Sequence, residues 1–448
     1  MRLETRRLLD RSFAGTGVLA IVLMTAALVI LLAPMFVRGF GAIVFTATVE
    51  QRRLMLEKFD RGNRVRVEAE IASARAAREP VYAMIAEFER GLESMGPDER
   101  RTYAKPLREL RKEIQTLLGP APGTVQPMLM RDQYGQTRWD RARVKLSRVL
   151  YREEWDYSDP TRAGVKKLKP RAEDFAGTSL EALFPYFEHD LDKMLLPRRT
   201  FYWRFLTDES FDSHFFGGIW PEILGTFYLT IGAMLFAIPM GLIAAIYLTE
   251  YARDTRLVGI LRTCISTLAG VPSIVFGLFG LAFFINTLNV SSSKSVLAGS
   301  MTLALMILPT VIRASEEAIR AVPSAYKEAA LSLGSGRWHT VWTIILPAAL
   351  PGVLTGVVIS MGRAAGETAP IIFTAAVSVG KPLALWQAFS QPTPALSWNI
   401  YNLATEHEAV DEIRHVQFGL VLTLVGLVLL LNLTAIFLRA RISKRLRG

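Results

Sequence analysis

Six runs of predominantly apolar residues, at 17–37, 219–248, 263–285, 296–312, 352–379 and 416–438, constrain this chain more than any other feature. Each is near the roughly twenty residues that a helix rising 1.5 Å per residue needs to cross a hydrocarbon core about 30 Å thick. Backbone N–H and C=O groups find no partner in lipid, so a spanning run of this length must be helical. The expected fold class is all-α: a polytopic membrane protein with six transmembrane helices and a large, mainly helical insert between the first and second. Composition agrees, because 51% of the 448 residues are hydrophobic and only 21% are charged, too apolar a balance for an ordinary soluble protein. Prolines and glycines form no low-complexity tract, which excludes a disordered or collagen-like chain. The first run has no small-x-small cleavage site, ending in Ala33, Pro34 and Met35, so it is expected to remain as an anchor. The single cysteine, Cys264, excludes an intrachain disulfide framework or a thiolate zinc cluster, no metal site is expected, and the cysteine reads as a small packing residue.

Charge sets the orientation. Arg2, Arg6, Arg7 and Arg11 precede the first run, and Arg439, Arg441, Lys444, Arg445 and Arg447 follow the last. By the positive-inside rule both termini lie in the cytoplasm, which six crossings allow. The organisation is then a cytoplasmic tail at 1–16, a first span at 17–37, an extracytoplasmic insert at 38–215, a five-helix core at 216–438 and a basic tail at 439–448. The formal net charge of +11 is explained by the lipid bilayer as partner and calls for no nucleic acid. Within 38–215 there are 32 Lys/Arg against 28 Asp/Glu, and a long, nearly balanced domain crosses a membrane largely regardless of charge.

The insert opens with a charged, helix-favouring stretch at 50–118, with breaks expected at Gly62-Asn63, Glu79-Pro80 and Gly96-Pro97. Val81, Met84, Ile85 and Phe88 recur at helical spacing, which indicates a hairpin or small bundle. The stretch at 119–170 is richer in turn formers and reads as loops with short elements. His189 and His214 are isolated in sequence and read as surface or packing residues.

Between the fourth and fifth runs stands Glu328-Ala329-Ala330-Leu331-Ser332-Leu333-Gly334, then nine residues, then Ile344-Ile345-Leu346-Pro347. The alanines make a slim helical face, Ser324 after Pro323 is placed to cap the helix, and Gly334 suits a left-handed turn that ends it. Glu-Ala-Ala alone is a common helical tripeptide; the full spacing is what carries information. It resembles the EAA loop of ATP-binding-cassette importer permeases, here at 313–347. The resemblance implies that Glu328, Ala329, Ala330 and Gly334 dock on a cytoplasmic ATPase dimer, which binds ATP and Mg while this chain carries no cofactor. No Gly-x-x-x-x-Gly-Lys-Ser/Thr occurs, so the chain is not expected to hydrolyse ATP itself.

The fifth run holds Arg363 and Glu367. Counted from Gly352, Arg363 falls about 17 Å along a helix, near the middle of a bilayer. Gly352, Gly356, Ser360, Arg363 and Glu367 fall on one small and polar face expected to turn inward. An arginine there attracts an oxyanion through paired N–H groups; equally, Arg363 and Glu367 are i and i+4 and can neutralise each other. Pro272, in the third run, is expected to kink it and free the carbonyl of Leu268, with Thr267 and Ser273 placed either to satisfy the freed groups or to meet an anion.

Three further motifs narrow the resemblance: Gly366-Glu367-Thr368-Ala369-Pro370 with Phe373-Thr374-Ala375, Gly270-Val271-Pro272-Ser273-Ile274-Val275-Phe276-Gly277, and Asn399-Ile400-Tyr401-Asn402-Leu403-Ala404-Thr405-Glu406. Together they look like signatures of the PstA-type permeases of phosphate importers, from about Gly217 to the C-terminus and in the first span. The resemblance implies a permease subunit for inorganic phosphate in the inner membrane, with Arg363, Glu367, Thr368, Ser273 and Thr267 on the anion path. It also implies a homologous second permease and an extracytoplasmic phosphate-binding protein. Another oxyanion such as molybdate or sulfate is the alternative substrate, and a membrane sensor built around the insert is the alternative role. An intramembrane enzyme using Glu367 with His339 or His415 is disfavoured, because no nucleophile elbow or His-Glu-x-x-His motif exists.

Overall fold

The computed structural model describes residues 3–123, 135–156, 164–407 and 410–446. Five helices are long and apolar enough to span a membrane, and a bent pair passes the same test together, which gives up to six crossings. Two compact units result, Ile43–Tyr202 and the remainder of the chain. Arg2 and Arg447 of the basic tails lie outside the described residues.

Helix α1 (Leu3–Phe40) enters the membrane. The unit Ile43–Tyr202 is closed at its ends by a two-stranded antiparallel ribbon, β1 (Val44–Ala47) with β4 (Arg198–Phe201), in which Val44 faces Phe201. Between them run α2 (Val49–Phe59), α3 (Arg64–Ser94), α4 (Pro97–Leu118), α5 (Trp139–Leu150) and α6 (Leu183–Leu195), with a ribbon of β2 (Tyr151–Asp156) and β3 (Val165–Pro170). Val81, Ile85, Phe88 and Leu92 of α3 pack with Leu110, Ile114 and Leu117 of α4 around Phe175 and Phe187. The breaks near residues 62 and 96 are present, and Asn63 accepts the Arg66 N–H at 3.1 Å as the α3 cap. Pro80, expected to break the chain, instead lies inside α3. Core packing on either side offsets the ~3 kcal/mol that an interior proline costs, and the Tyr186 hydroxyl donates to the neighbouring Ala77 carbonyl at 2.8 Å. The stretch 119–170, expected as loops with short elements, holds the 12-residue α5 and the β2/β3 ribbon; residues 124–134 and 157–163 lie outside the described residues.

The membrane unit continues with a short ribbon, β5 (Ser210–Phe211) and β6 (Phe216–Gly217), then α7 (Trp220–Ile246) with a π-helical end at Tyr247–Tyr251. The third crossing is α8 (Arg256–Leu268) and α9 (Ser273–Gly280, with π-helical Leu281–Thr287), meeting at 101°. This is a break and not the kink expected of Pro272: the proline precedes α9, and the Leu268 carbonyl is taken by the Val271 N–H at 3.2 Å. Cys264, expected to pack, is exposed on α8.

Next come α10 (Val296–Arg320), α11 (Ser324–Ser332), and a fifth crossing made of α12 (Arg337–Thr340), π-helical Val341–Ile345 and α13 (Leu346–Gly366). The chain ends with α14 (Ala369–Thr374), α15 (Leu396–Thr405) and α16 (Val410–Leu446). The fifth helix spans Arg337–Gly366, earlier than the expected 352–379. Pro347 would press its ring on the Thr343 carbonyl four residues back; the π-helical turn around Thr343 makes room and lets the helix begin before the prolines. Glu367 is extended (φ −76°, ψ 135°) and ends it, so Arg363 sits in the last turn of that helix.

Helix α10 packs between α7 and α13, α13 packs on α16, and α16 holds α1. A Cβ on Gly352 would meet that of Ala318 at 2.7 Å, and one on Gly356 would collide with Ala314. The small face of α13 is thus used inside the chain against α10, the kind of close backbone approach that replaces hydrophobic driving force in lipid.

Candidate anion pathway and coupling surface

Helix α11 is short, and its end is built for a sharp stop. Gly334 adopts φ +81°, its N–H bonds the Leu331 carbonyl at 3.0 Å, and the Ser335 N–H bonds the Ala330 carbonyl at 3.1 Å. This double closure is a Schellman motif, and a side chain at a positive φ would be strained there. The helix start differs from expectation: Pro323 holds the cap position and Ser324 is the first helical residue, with no side-chain cap. Ala330 is buried, while Ala329 and Glu328 are exposed, and the Glu328 carboxylate has no partner among the described residues. Leu333 is 89% exposed, with Tyr326 and Trp338 also more than half exposed nearby in sequence. Lys327 pairs with Glu250 at 2.5 Å, tying α11 to the π-helical end of the second crossing. Neither Leu333 nor Lys327 stood out in the sequence; the nearest signal is their position inside the motif.

At the break after α13, Arg363 Nε donates to Glu367 Oε1 at 3.3 Å. The two remain i and i+4 neighbours although Glu367 has left the helix. The Arg363 side chain is 38% exposed and that of Glu367 20%, so the pair is not sealed away. Thr368 follows at the start of α14, half-buried and without a side-chain cap bond. Ser273 opens α9, whose Gly277 lies against Ala369 and Pro370 of α14, where a Cβ would come within 2.9 Å of the Ala369 carbonyl. The second half of the bent pair therefore packs on α14, with Ser273 one turn before that contact. Thr267 stays on the other side of the 101° bend, exposed, with its hydroxyl bonded to the Thr263 carbonyl at 2.8 Å, and does not join the group.

The structure adds residues that sequence reasoning passed over. The Ser397 hydroxyl donates to the Glu367 carbonyl at 2.9 Å, and a crevice of about 10 Å³ is lined by Thr226, Thr230, Glu367 and Ser397. His214, read as isolated, is buried with its Nε2 2.9 Å from Glu222 Oε1. Asn399 Nδ2 donates to the same oxygen at 3.0 Å. The separations of 8 and 177 residues explain why no local pattern announced them, although Asn399 belongs to a motif already singled out.

Residues 237–448 match the family model of the binding-protein-dependent transport system inner membrane component. The probable ABC transporter permease protein YqgI of Bacillus subtilis is 34% identical over 252 residues, covering 54% of this chain and 85% of that protein. The phosphate transport system permease protein PstA 1 of Mycobacterium tuberculosis is 35% identical over 233 residues, 52% of this chain and 73% of that one. The chain belongs to the PstA-type family of ABC transporter permeases. It is a non-catalytic, multi-pass membrane subunit of a binding-protein-dependent transporter, a family that works with ATPase and permease partners and carries no cofactor on the permease.

Proposed function

We propose that this permease moves inorganic phosphate inward across the inner membrane, driven by a separate ATPase that binds ATP and Mg. The reading rests on one observation above others. Arg363 and Glu367 face each other at 3.3 Å at an interrupted helix end, partly exposed, beside a second broken crossing. An arginine fork holds two oxygens of a tetrahedral anion, and its acid neighbour competes for it, so binding stays reversible. Thr368 supplies a hydroxyl next to the break, and Ser273, at the start of the neighbouring α9, is a further hydroxyl on this path. Molybdate or sulfate would satisfy the same fork; names of relatives such as the phosphate permeases of M. tuberculosis and Yersinia pestis favour phosphate.

Helix α11, with Glu328, Ala329, Ala330 and Gly334, is the surface offered to the ATPase dimer, and exposed Leu333 and Tyr326 give it an apolar centre. Both termini are cytoplasmic and the insert is extracytoplasmic, where a phosphate-binding protein delivers its cargo. A homologous second permease completes the pore; Gly366, with open space around it, is left for that contact, whereas Gly352 and Gly356 are not.

The test is uptake of radiolabelled phosphate by Arg363→Gln, Arg363→Lys and the double variant Arg363→Gln/Glu367→Gln in the assembled transporter. Each is expected to insert normally and to lose about ten- to a hundredfold in uptake, the worth of a hydrogen bond to a charged group. Near-normal uptake by the double variant would make the pair a scaffold and remove it from the path.

A further inference from the structure

Asp212, Ser213 and His214 are three consecutive non-glycine residues at positive φ, 47°, 50° and 74°. One such residue is uncommon and three in a row are sustained only where surrounding contacts fix them. What they deliver is the imidazole of His214, placed against Glu222 near the start of α7. In the tautomer with its proton on Nε2, the imidazole donates to the carboxylate.

Glu222 Oε1 thus receives two donors, one from the β5/β6 ribbon and one from Asn399 on α15. Glu222 and Asn399 are each at least 99% buried, and Glu222 Oε2 and Asn399 Oδ1 have no hydrogen-bond partner among the described residues. Packing alone does not call for such a group, since an apolar residue would fill the space without the desolvation penalty. A second tie lies one turn along: the Leu396 N–H donates to Thr226 Oγ1 at 2.8 Å, and that hydroxyl donates to the Glu222 carbonyl at 2.8 Å. The first turn of α15 is therefore fastened to the first turns of α7 at two levels. From that same turn Ser397 reaches the Glu367 carbonyl, and Glu367 has no helix to hold it because α13 ends at Gly366.

We propose that His214, Glu222 and Asn399 are positioning residues for the anion path: they mount α15 on α7, and through Ser397 they set where Glu367 stands beside Arg363. The inference rests on the pathway reading of Arg363 and Glu367 and names the residues that fix its geometry. It assigns His214, 153 positions from Glu367 in the sequence, to the same working unit.

The experiment measures radiolabelled phosphate uptake by the complete transporter, separating half-saturation from maximal rate, with membrane levels and ATPase co-purification recorded. Ser397→Ala removes one hydroxyl, and Asn399→Ala removes one donor to Glu222. Each is expected to raise half-saturation about three- to tenfold, the loss of one modest hydrogen bond, with normal insertion. In a Glu367→Gln background the same changes should have less than about a twofold effect, because the charge being positioned is gone. Ser397→Thr, which restores a hydroxyl, should recover the wild-type value. If Asn399→Ala fails to insert, Ser397→Ala still decides the matter. Altered uptake in Arg363→Gln together with unchanged half-saturation in Ser397→Ala, or effects that add fully to Glu367→Gln, overturns the inference while leaving the pathway intact. Unchanged uptake in Arg363→Gln removes the pathway reading, and this inference with it.

Discussion

Gly334 carries two hydrogen bonds' worth of geometry in its backbone angles alone, because both closures of the α11 end depend on φ +81°. Replacing it with valine forces a β-branched residue into a left-handed conformation at a cost of roughly 1–2 kcal/mol. Gly334→Val is expected to unwind the last turn of α11 and displace Leu333, reducing ATPase co-purification and uptake several-fold while membrane levels stay normal. Wild-type co-purification in that variant would show that the turn is dispensable. Arg363 teaches a different lesson at the same scale. Its pairing with Glu367 could be read from i, i+4 spacing, but its place in the last turn of a helix could not. Where the fifth helix starts depends on a π-helical turn before Pro347, a backbone choice that hydropathy does not encode. The site's acidic partner was legible and its supports were not, since Ser397, Asn399 and His214 approach only through tertiary packing.

Among the elements, α2 and α3 of the insert are locked by one buried pair. Arg78 Nη1 donates to Glu50 Oε1 at 2.7 Å and to the Leu118 carbonyl at 3.1 Å, while Nε reaches the Met194 carbonyl at 3.0 Å. Burial pushes the Glu50 carboxyl up, and the Arg78 guanidinium pulls against it without winning. With the folded value above the unfolded one, Glu50 contributes most at pH below the ordinary carboxylate range, and that contribution is lost as pH rises through the raised value. Glu50→Gln is therefore expected to flatten the acid side of the stability profile and to cost little at neutral pH. Arg78→Met strands a buried carboxylate and should cost about 3–5 kcal/mol. Protection factors of α2 and α3 amides in the full chain, corrected for the intrinsic exchange rate at pH 5 and pH 8, check both; greater protection at pH 8 than at pH 5 would reverse the sign. The helices themselves were largely legible, because α3 and α4 obey a 3.6-residue period. Pro80 was misleading because the propensity penalty of a single residue yields to the core that Val81, Ile85 and Phe88 build around it.

Across the membrane unit, each apolar run falls on a long apolar helix or on the bent pair, and what hydropathy could not supply was continuity: the third run is two helices at 101° and the fifth ends early at Glu367. Side of the membrane is a separate question, tested by an epitope tag at Gly123, which is expected to be reachable only from outside; labelling solely from the cytoplasmic face would invert the topology. Excision of 43–202, with Ala42 joined to Trp203 by a few glycines, is expected to leave membrane insertion and α10 packing unchanged and to retain measurable uptake. Failure to insert would mean that the membrane unit cannot fold without it. The joint is feasible because Val44 and Phe201 are cross-strand partners, with Cα atoms only about 5 Å apart.

That small gap has a genetic meaning. A segment of some 160 residues whose first and last strands lie side by side can be acquired or discarded in a single recombination event, without re-registering either flanking helix. Natural variation in such a lineage should therefore be bimodal, with long and short forms and few intermediates, because a partial deletion would leave half of the β1/β4 ribbon and an open core.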